Sequence, residues 1–128
     1  NMSNVPDNLR YTKEHEWVHI EGNVATVGIT DYAQNALTDI VWVEFLSDVG
    51  DFIKENGSFA SVESVKSVSE IYAPLAGELL ELNQDLQDAP EMINENAYDA
   101  WIAKFQISTT GEIDSLLDAA SYSTIIGD

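Results

Sequence analysis

Apolar and polar positions alternate along this chain in short runs separated by turn residues. Trp17-Val18-His19-Ile20-Glu21 alternates, Gly22-Asn23 interrupts, and Val24-Ala25-Thr26-Val27-Gly28-Ile29 alternates again, which predicts a β-hairpin. Thr30 or Asp31 then caps a short helix over Asp31–Thr38, with Ala33, Ala36 and Leu37 on one face. Ile40–Leu46 is a β-branched and aromatic strand, closed by turns at Val49-Gly50-Asp51 and Glu55-Asn56-Gly57. Phe59–Val65 and Val68–Ala73 form a second hairpin with Lys66 at or near its tip. Pro74 and Gly77 read as turn residues, followed by a strand over Glu78–Leu82. Asn83–Asn96 is a polar loop with a helical turn around Glu91–Ile93, and Ala100–Ile107 is a last strand. Short helices are expected over Glu112–Ala119 and Ser121–Ile126, where Ile113, Leu116 and Leu117 make an apolar stripe. Many short strands with helices at the margins predict a mainly β fold, a small sandwich or flattened barrel.

Length and composition narrow the function. The 128 residues suit one domain, here 1–128, with an N-terminal extension over 1–8 and a helical segment over 112–128. No cysteine is present, so thiolate metal sites and cysteine nucleophiles are excluded, and sulfur chemistry would have to arrive on a cofactor. Acids number 23 against 5 bases, a net charge of −18, which argues against nucleic acid as a partner. No apolar run approaches the ~20 residues that span a bilayer, so no membrane partner is expected. The polar start, in which Asn1 precedes Met2, shows no secretory signal, and with the acidity it points to a bacterial cytoplasm.

Enzyme constellations are thin. His15 and His19 are the only histidines, and on one strand they would stand about 13 Å apart, too far to share a metal. There is no Gly-x-Ser-x-Gly elbow and no glycine-rich phosphate loop. Carboxylate pairs occur throughout so acidic a chain and single out nothing. Trp17, Trp42 and Trp101 lie in strand-like runs and are expected to pack in the core or at its rim.

Lys66 is distinguished by its setting, Ser61-Val62-Glu63-Ser64-Val65-Lys66-Ser67-Val68-Ser69-Glu70. An isolated lysine on a hairpin is ordinarily a solvated surface group. Here Val65 and Val68 give apolar footing, small serines leave the amine uncovered, and Glu63 and Glu70 flank it at −3 and +4. An enzyme that acylates the amine removes its charge and leaves a long arm on a rigid tip, able to visit several active sites.

Several of these segments together are familiar: Leu9-Arg10-Tyr11-Thr12-Lys13-Glu14-His15-Glu16-Trp17-Val18, Val27-Gly28-Ile29-Thr30-Asp31-Tyr32-Ala33-Gln34, Asp39-Ile40-Val41-Trp42-Val43-Glu44 and Val62–Pro74 around Lys66. In this order and spacing the chain resembles the H-protein family of the glycine cleavage system, from about Leu9 to Ile126. The resemblance implies a barrel-sandwich hybrid of the lipoyl/biotinyl kind, with covalent lipoate on Lys66 and Glu63, Ser64, Val65 and Ser67 as the hairpin that the lipoate-attaching enzyme recognises. It implies a carrier with no catalysis of its own. The arm takes the aminomethyl group from a pyridoxal-phosphate glycine decarboxylase to an aminomethyltransferase, and electrons to a dihydrolipoyl dehydrogenase. A cleft that shelters the loaded arm is implied for Glu16, Tyr32 and Glu70, and the setting is a bacterial cytoplasm or a mitochondrial matrix. The alternatives are a carrier that relays lipoyl groups to other lipoyl domains, and an unmodified interaction module. Biotin carriers fit poorly because Val65 and Ser67 stand where methionines flank the biotinyl lysine. Two departures stand out: Ala97-Tyr98-Asp99-Ala100-Trp101 lacks the proline and both glycines of the family's Pro-Tyr-Gly-x-Gly-Trp stretch, and Thr38 replaces a usual glycine.

Overall fold

The computed structural model describes residues 3–108 and 110–128. Among the described residues nine strands make two antiparallel sheets. One holds β1 (Arg10–Tyr11), β2 (Glu16–Glu21), β3 (Val24–Ile29), β9 (Ala103–Ile107), β8 (Gly77–Leu82) and β5 (Phe52–Ile53) in the spatial order β1-β2-β3-β9-β8-β5. The other holds β4 (Ile40–Phe45), β6 (Ser58–Ser64) and β7 (Val68–Tyr72), with β6 in the middle. Both expected hairpins form. Gly22, at φ +59°, begins the two-residue turn that sets Glu21 opposite Val24.

The sheets bury one apolar layer. Phe59 of β6 meets Phe105 of β9 edge to face at 5.1 Å, among Val27, Val43, Val62, Ile71 and Leu79. Each such fully buried side chain contributes about 1.5–3 kcal/mol of transfer free energy. On the outer face of the larger sheet the Trp17 indole lies flat over Gly28, its register partner; a Cβ there would stand 2.6 Å from the ring. Gly77 opens β8 opposite Ile107 of β9 rather than turning the chain, and a Cβ there would collide with the Gln106 carbonyl. The helix α1 (Asp31–Leu37) has the expected cap, with Thr30 Oγ1 accepting from the Ala33 N–H.

Four expectations are corrected. The loop over Asn83–Asn96 holds, ahead of the expected helical turn, which is α3 (Met92–Glu95), an unexpected one, α2 (Asp85–Asp88); Leu86 and Ile93 are their buried side chains. The last strand starts at Ala103, since Asn83 Nδ2 takes the Trp101 carbonyl at 2.8 Å and the Ile102 N–H goes to Val27. The C-terminal segment is a 3₁₀ helix (Thr110–Ser115), a two-way backbone bridge between Leu117 and Tyr11, and α4 (Ala119–Ile126) capped by Asp118. The bridge splits the apolar stripe: Ile113 and Leu116 pack beside Val18 and Ile107, whereas Leu117 joins Leu9, Tyr11 and Tyr122. Trp42 is 51% exposed, because a bulge at the start of β4 turns both Val41 and Trp42 outward; Trp17 is buried, and Trp101 is partly covered by Lys104, 4.9 Å above its ring.

Candidate functional site

Lys66 stands at the tip of the β6–β7 hairpin, beyond the Glu63–Val68 pair. Ser64 builds the turn: its buried Oγ accepts from the N–H groups of Lys66 (3.1 Å) and Ser67 (3.0 Å), and its own N–H donates to the Ser67 carbonyl (2.8 Å). The Val65 N–H donates to the Asp39 carbonyl at 3.0 Å and anchors the tip to the connection between α1 and β4. Glu63, Val65 and Ser67 are exposed, so three of the four hairpin neighbours face solvent and the fourth, Ser64, folds inward as the turn's acceptor. The Lys66 side chain is exposed, and its ammonium donates to the Ala36 carbonyl at 3.3 Å.

Ala36 also belongs to the wall of a cleft of about 300 Å³. The helix α1 supplies Tyr32, Ala33, Ala36 and Leu37 to it, β3 supplies Ile29, and β7 supplies Ser69 and Ile71. Glu14 and His15, from the connection between β1 and β2, complete the lining. The cleft is thus largely apolar, opens beside the lysine tip, and carries one carboxylate, Glu14. His15 has a left-handed backbone (φ +69°), a ring 4.9 Å from that of Tyr32, and an Nδ1 2.8 Å from the Tyr122 hydroxyl. Burial holds its imidazole below the ordinary histidine range, outweighing the upward pull of Glu14.

Of the three residues expected in the cleft, Tyr32 lines it. Glu16 is 1% exposed and lies beneath the wall instead. Its Oε1 is 2.5 Å from Thr12 Oγ1, and its Oε2 accepts from the Tyr72 N–H at 3.1 Å. Burial pushes this carboxyl up to about 7, against the opposing effect of those hydrogen bonds. Glu70 is exposed on β7 between Ser69 and Ile71; strand alternation turns it to the face opposite the cleft, where it pairs with Ser61. The remaining lining residues carry a signal in sequence only as the Ala33, Ala36, Leu37 stripe, which an ordinary packed helix also shows. His19 lies 3.9 Å from Glu21, and among the described residues no group of three acidic or histidine side chains is placed to hold a metal.

The stretch that lacks the family's glycines is built from side-chain bonds. The Ala97 carbonyl accepts from the Trp17 indole at 3.0 Å, the Tyr98 hydroxyl donates to the Asn4 carbonyl and accepts from the Asp31 N–H, and Asn96 Nδ2 bonds Asp99.

Residues 9–128 match the family model described as glycine cleavage H-protein. The chain belongs to that family. The glycine cleavage system H proteins of two Staphylococcus epidermidis strains are 54% and 53% identical to it over 125 residues, covering 97% of this chain and 98% of theirs. A crystal structure of a glycine cleavage system H protein from Mycobacterium marinum superposes with a TM-score of 0.87 at 35% identity, over 97% of this chain and all of that one. The architecture is therefore a lipoyl-domain-like barrel sandwich, and the family places the chain as the lipoyl carrier of the glycine cleavage system. Among the described residues no helix is long and apolar enough to cross a membrane.

Proposed function

We propose that Lys66 is the attachment point of a covalent lipoyl group and that the cleft lined by α1 receives the arm. The observation that carries this is the position of Ala36, which accepts from the Lys66 ammonium and also walls the cleft. The site suits such a group: the amine is exposed, the turn beneath it is satisfied by its own backbone and Ser64, and the cleft beside it is apolar enough for an alkyl chain and ring. The lipoyl disulfide supplies the sulfurs that take up the aminomethyl group. The chain's own residues anchor, orient and shelter, so the protein is a non-catalytic subunit.

Its partners are then a pyridoxal-phosphate glycine decarboxylase, an aminomethyltransferase, a dihydrolipoyl dehydrogenase and the lipoate-attaching enzyme, which meets Glu63, Val65 and Ser67 around the lysine. The cleft assignment extends to Tyr32 directly and to Glu16 through the wall, and not to Glu70. We read residues 1–128 as one carrier domain, and bacterial relatives support a bacterial cytoplasm. Intact mass after treatment with lipoate ligase, ATP and lipoate tests the attachment: one lipoyl increment is expected on the natural sequence and none on Lys66→Arg. An increment on the variant refutes it. Glycine–bicarbonate exchange with the cognate decarboxylase should follow the lipoylated protein and disappear with Lys66→Ala.

A further inference from the structure

Beyond the cleft, a chain of hydroxyls links the C-terminal helix to it. Thr30 is fully buried at the junction of β3 and α1. Its Oγ1 lies 2.7 Å from the Tyr122 hydroxyl, which lies 2.8 Å from His15 Nδ1. Thr30 Oγ1 also accepts from the Ala33 N–H at 3.2 Å, as the cap of α1. Its hydrogen is therefore left for Tyr122, the hydroxyl beside it. The Tyr122 oxygen accepts that hydrogen and must donate its own to the remaining neighbour, His15 Nδ1. The opposite orientation leaves the buried Thr30 hydroxyl hydrogen without an acceptor, a state that folded interiors avoid. A ring that accepts at Nδ1 carries its proton on Nε2.

Three further contacts fix this geometry. Tyr11 stacks on Tyr122 with ring centroids 4.7 Å apart and planes 11° apart. The His15 N–H donates to the Thr12 carbonyl, and the Thr30 N–H donates to the His15 carbonyl at 3.0 Å. Backbone and side chain of His15 are thus both referenced to Thr30, across three separate elements.

We infer that Tyr122 and Thr30 act as positioning residues that hold His15 as the neutral Nε2–H tautomer, so that the cleft offers the arm an N–H donor and no positive charge. The inference rests on the carrier function proposed above. Its chemical sense lies in the cargo: the aminomethyl group carries an amine that is cationic near neutral pH, and an imidazolium in the same cleft would repel it. The groups facing His15 act in both directions. Glu14, its neighbour in the lining, would favour the imidazolium; α1 and α4 present the Tyr32 and Tyr122 phenol rings, and β7 presents Ser69 and Ile71. Burial and the hydroxyl chain oppose that carboxylate.

The decisive measurement is a side-chain ¹⁵N–¹H correlation spectrum of His15 in the unlipoylated protein, followed from pH 5 to 8. The Nε2–H tautomer is expected to predominate at pH 7. Predominance of the Nδ1–H tautomer or of the imidazolium at pH 7 overturns the inference without recourse to any variant. In Tyr122→Phe the donor to Nδ1 is gone, and the imidazolium fraction at a given pH should rise about tenfold, the equivalent of one pH unit; an unchanged titration overturns it. The arm gives a second readout. With the aminomethyl group loaded and no transferase present, Tyr122→Phe should release ammonia faster than the natural sequence at pH 6.5, the two converging at pH 8.5. Equal rates at both pH values overturn the link between His15 charge and the cargo. Failure of lipoylation at Lys66 would instead refute the carrier reading and leave the tautomer result standing.

Discussion

Replacing Glu16 with Gln should stabilise this protein, and the gain should grow with pH. Glu16 is buried with its carboxyl raised from an ordinary value near 4.5 to about 7. The folded chain therefore holds the carboxyl proton more tightly than the unfolded chain does. The stability this provides is complete below about pH 4.5 and is lost as pH rises through 7, because ionised Glu16 must then be accommodated in the interior. At about 1.4 kcal/mol per unit, the shift amounts to about 3 kcal/mol at pH 8. Glutamine can keep both contacts without a charge: its oxygen accepts from the Tyr72 N–H, and its amide nitrogen donates to Thr12 Oγ1 once that hydroxyl, which now donates to Oε1, turns away. The net charge of −18 also weakens the fold as pH rises, but it acts almost equally on both proteins and cancels in the difference. Urea unfolding followed by tryptophan fluorescence at pH 4, 5.5, 7 and 8 measures that difference. The two proteins should agree within ~1 kcal/mol at pH 4, with Glu16→Gln ahead by about 3 kcal/mol at pH 8. A difference independent of pH, or a natural protein that is the more stable at pH 8, would refute the argument.

Three further outcomes follow from single contacts. Thr38 has φ +67° and ψ −149°, a region that suits glycine, so Thr38→Gly should raise the urea midpoint by the equivalent of about 1–2 kcal/mol; a loss would show that its hydroxyl bond to the Leu37 carbonyl outweighs the strain. Asn94 accepts from the Ile40 N–H and donates to Gln34 Oε1 and the Thr38 carbonyl, so Asn94→Ala should cost about 2 kcal/mol in the same assay. Ser64→Ala orphans the N–H groups of Lys66 and Ser67; it should cost about 1 kcal/mol and slow lipoate attachment, and a ligase rate equal to that of the natural sequence would show that the turn needs no such support.

The strands that alternate over five or more residues were legible in the sequence, because a period of two leaves one reading open. The hairpin at Gly22-Asn23, the helix capped by Thr30 and the lysine hairpin fall where pattern and turn chemistry put them. The strands β1 and β5 were not legible, since two residues carry no period; they exist because partner edges at β2 and β8 take up their backbone groups. The single turn α2 lies in polar sequence and depends on Leu86 finding the core, which local pattern cannot show, whereas α3 falls at the turn expected around Glu91–Ile93. At the site, the position of Lys66 was legible from its own neighbours. The cleft was not, because Ile29, Ala33, Leu37 and Ile71 are ordinary core residue types until four distant segments converge. Glu16 looked like a lining carboxylate and is a buried one, held by Thr12 and the Tyr72 N–H, contacts that the local pattern does not show.

The short helix α1 couples the anchor to the cleft. One face of it walls the cleft, its last turn presents the Ala36 carbonyl to Lys66, and the connection that follows holds the Val65 N–H through Asp39. Its start is fixed by Thr30, which is also bonded to Tyr122, and its end by Asn94. Tip and cleft are therefore both referenced to α1. Acylating Lys66 removes its charge and keeps one N–H, so the amide can still donate to the Ala36 carbonyl while the arm is engaged. That single bond is weak, about 0.5–1.5 kcal/mol, so on the proposed attachment at Lys66 it would bias an arm toward the cleft and yield once a partner's active site competed for it.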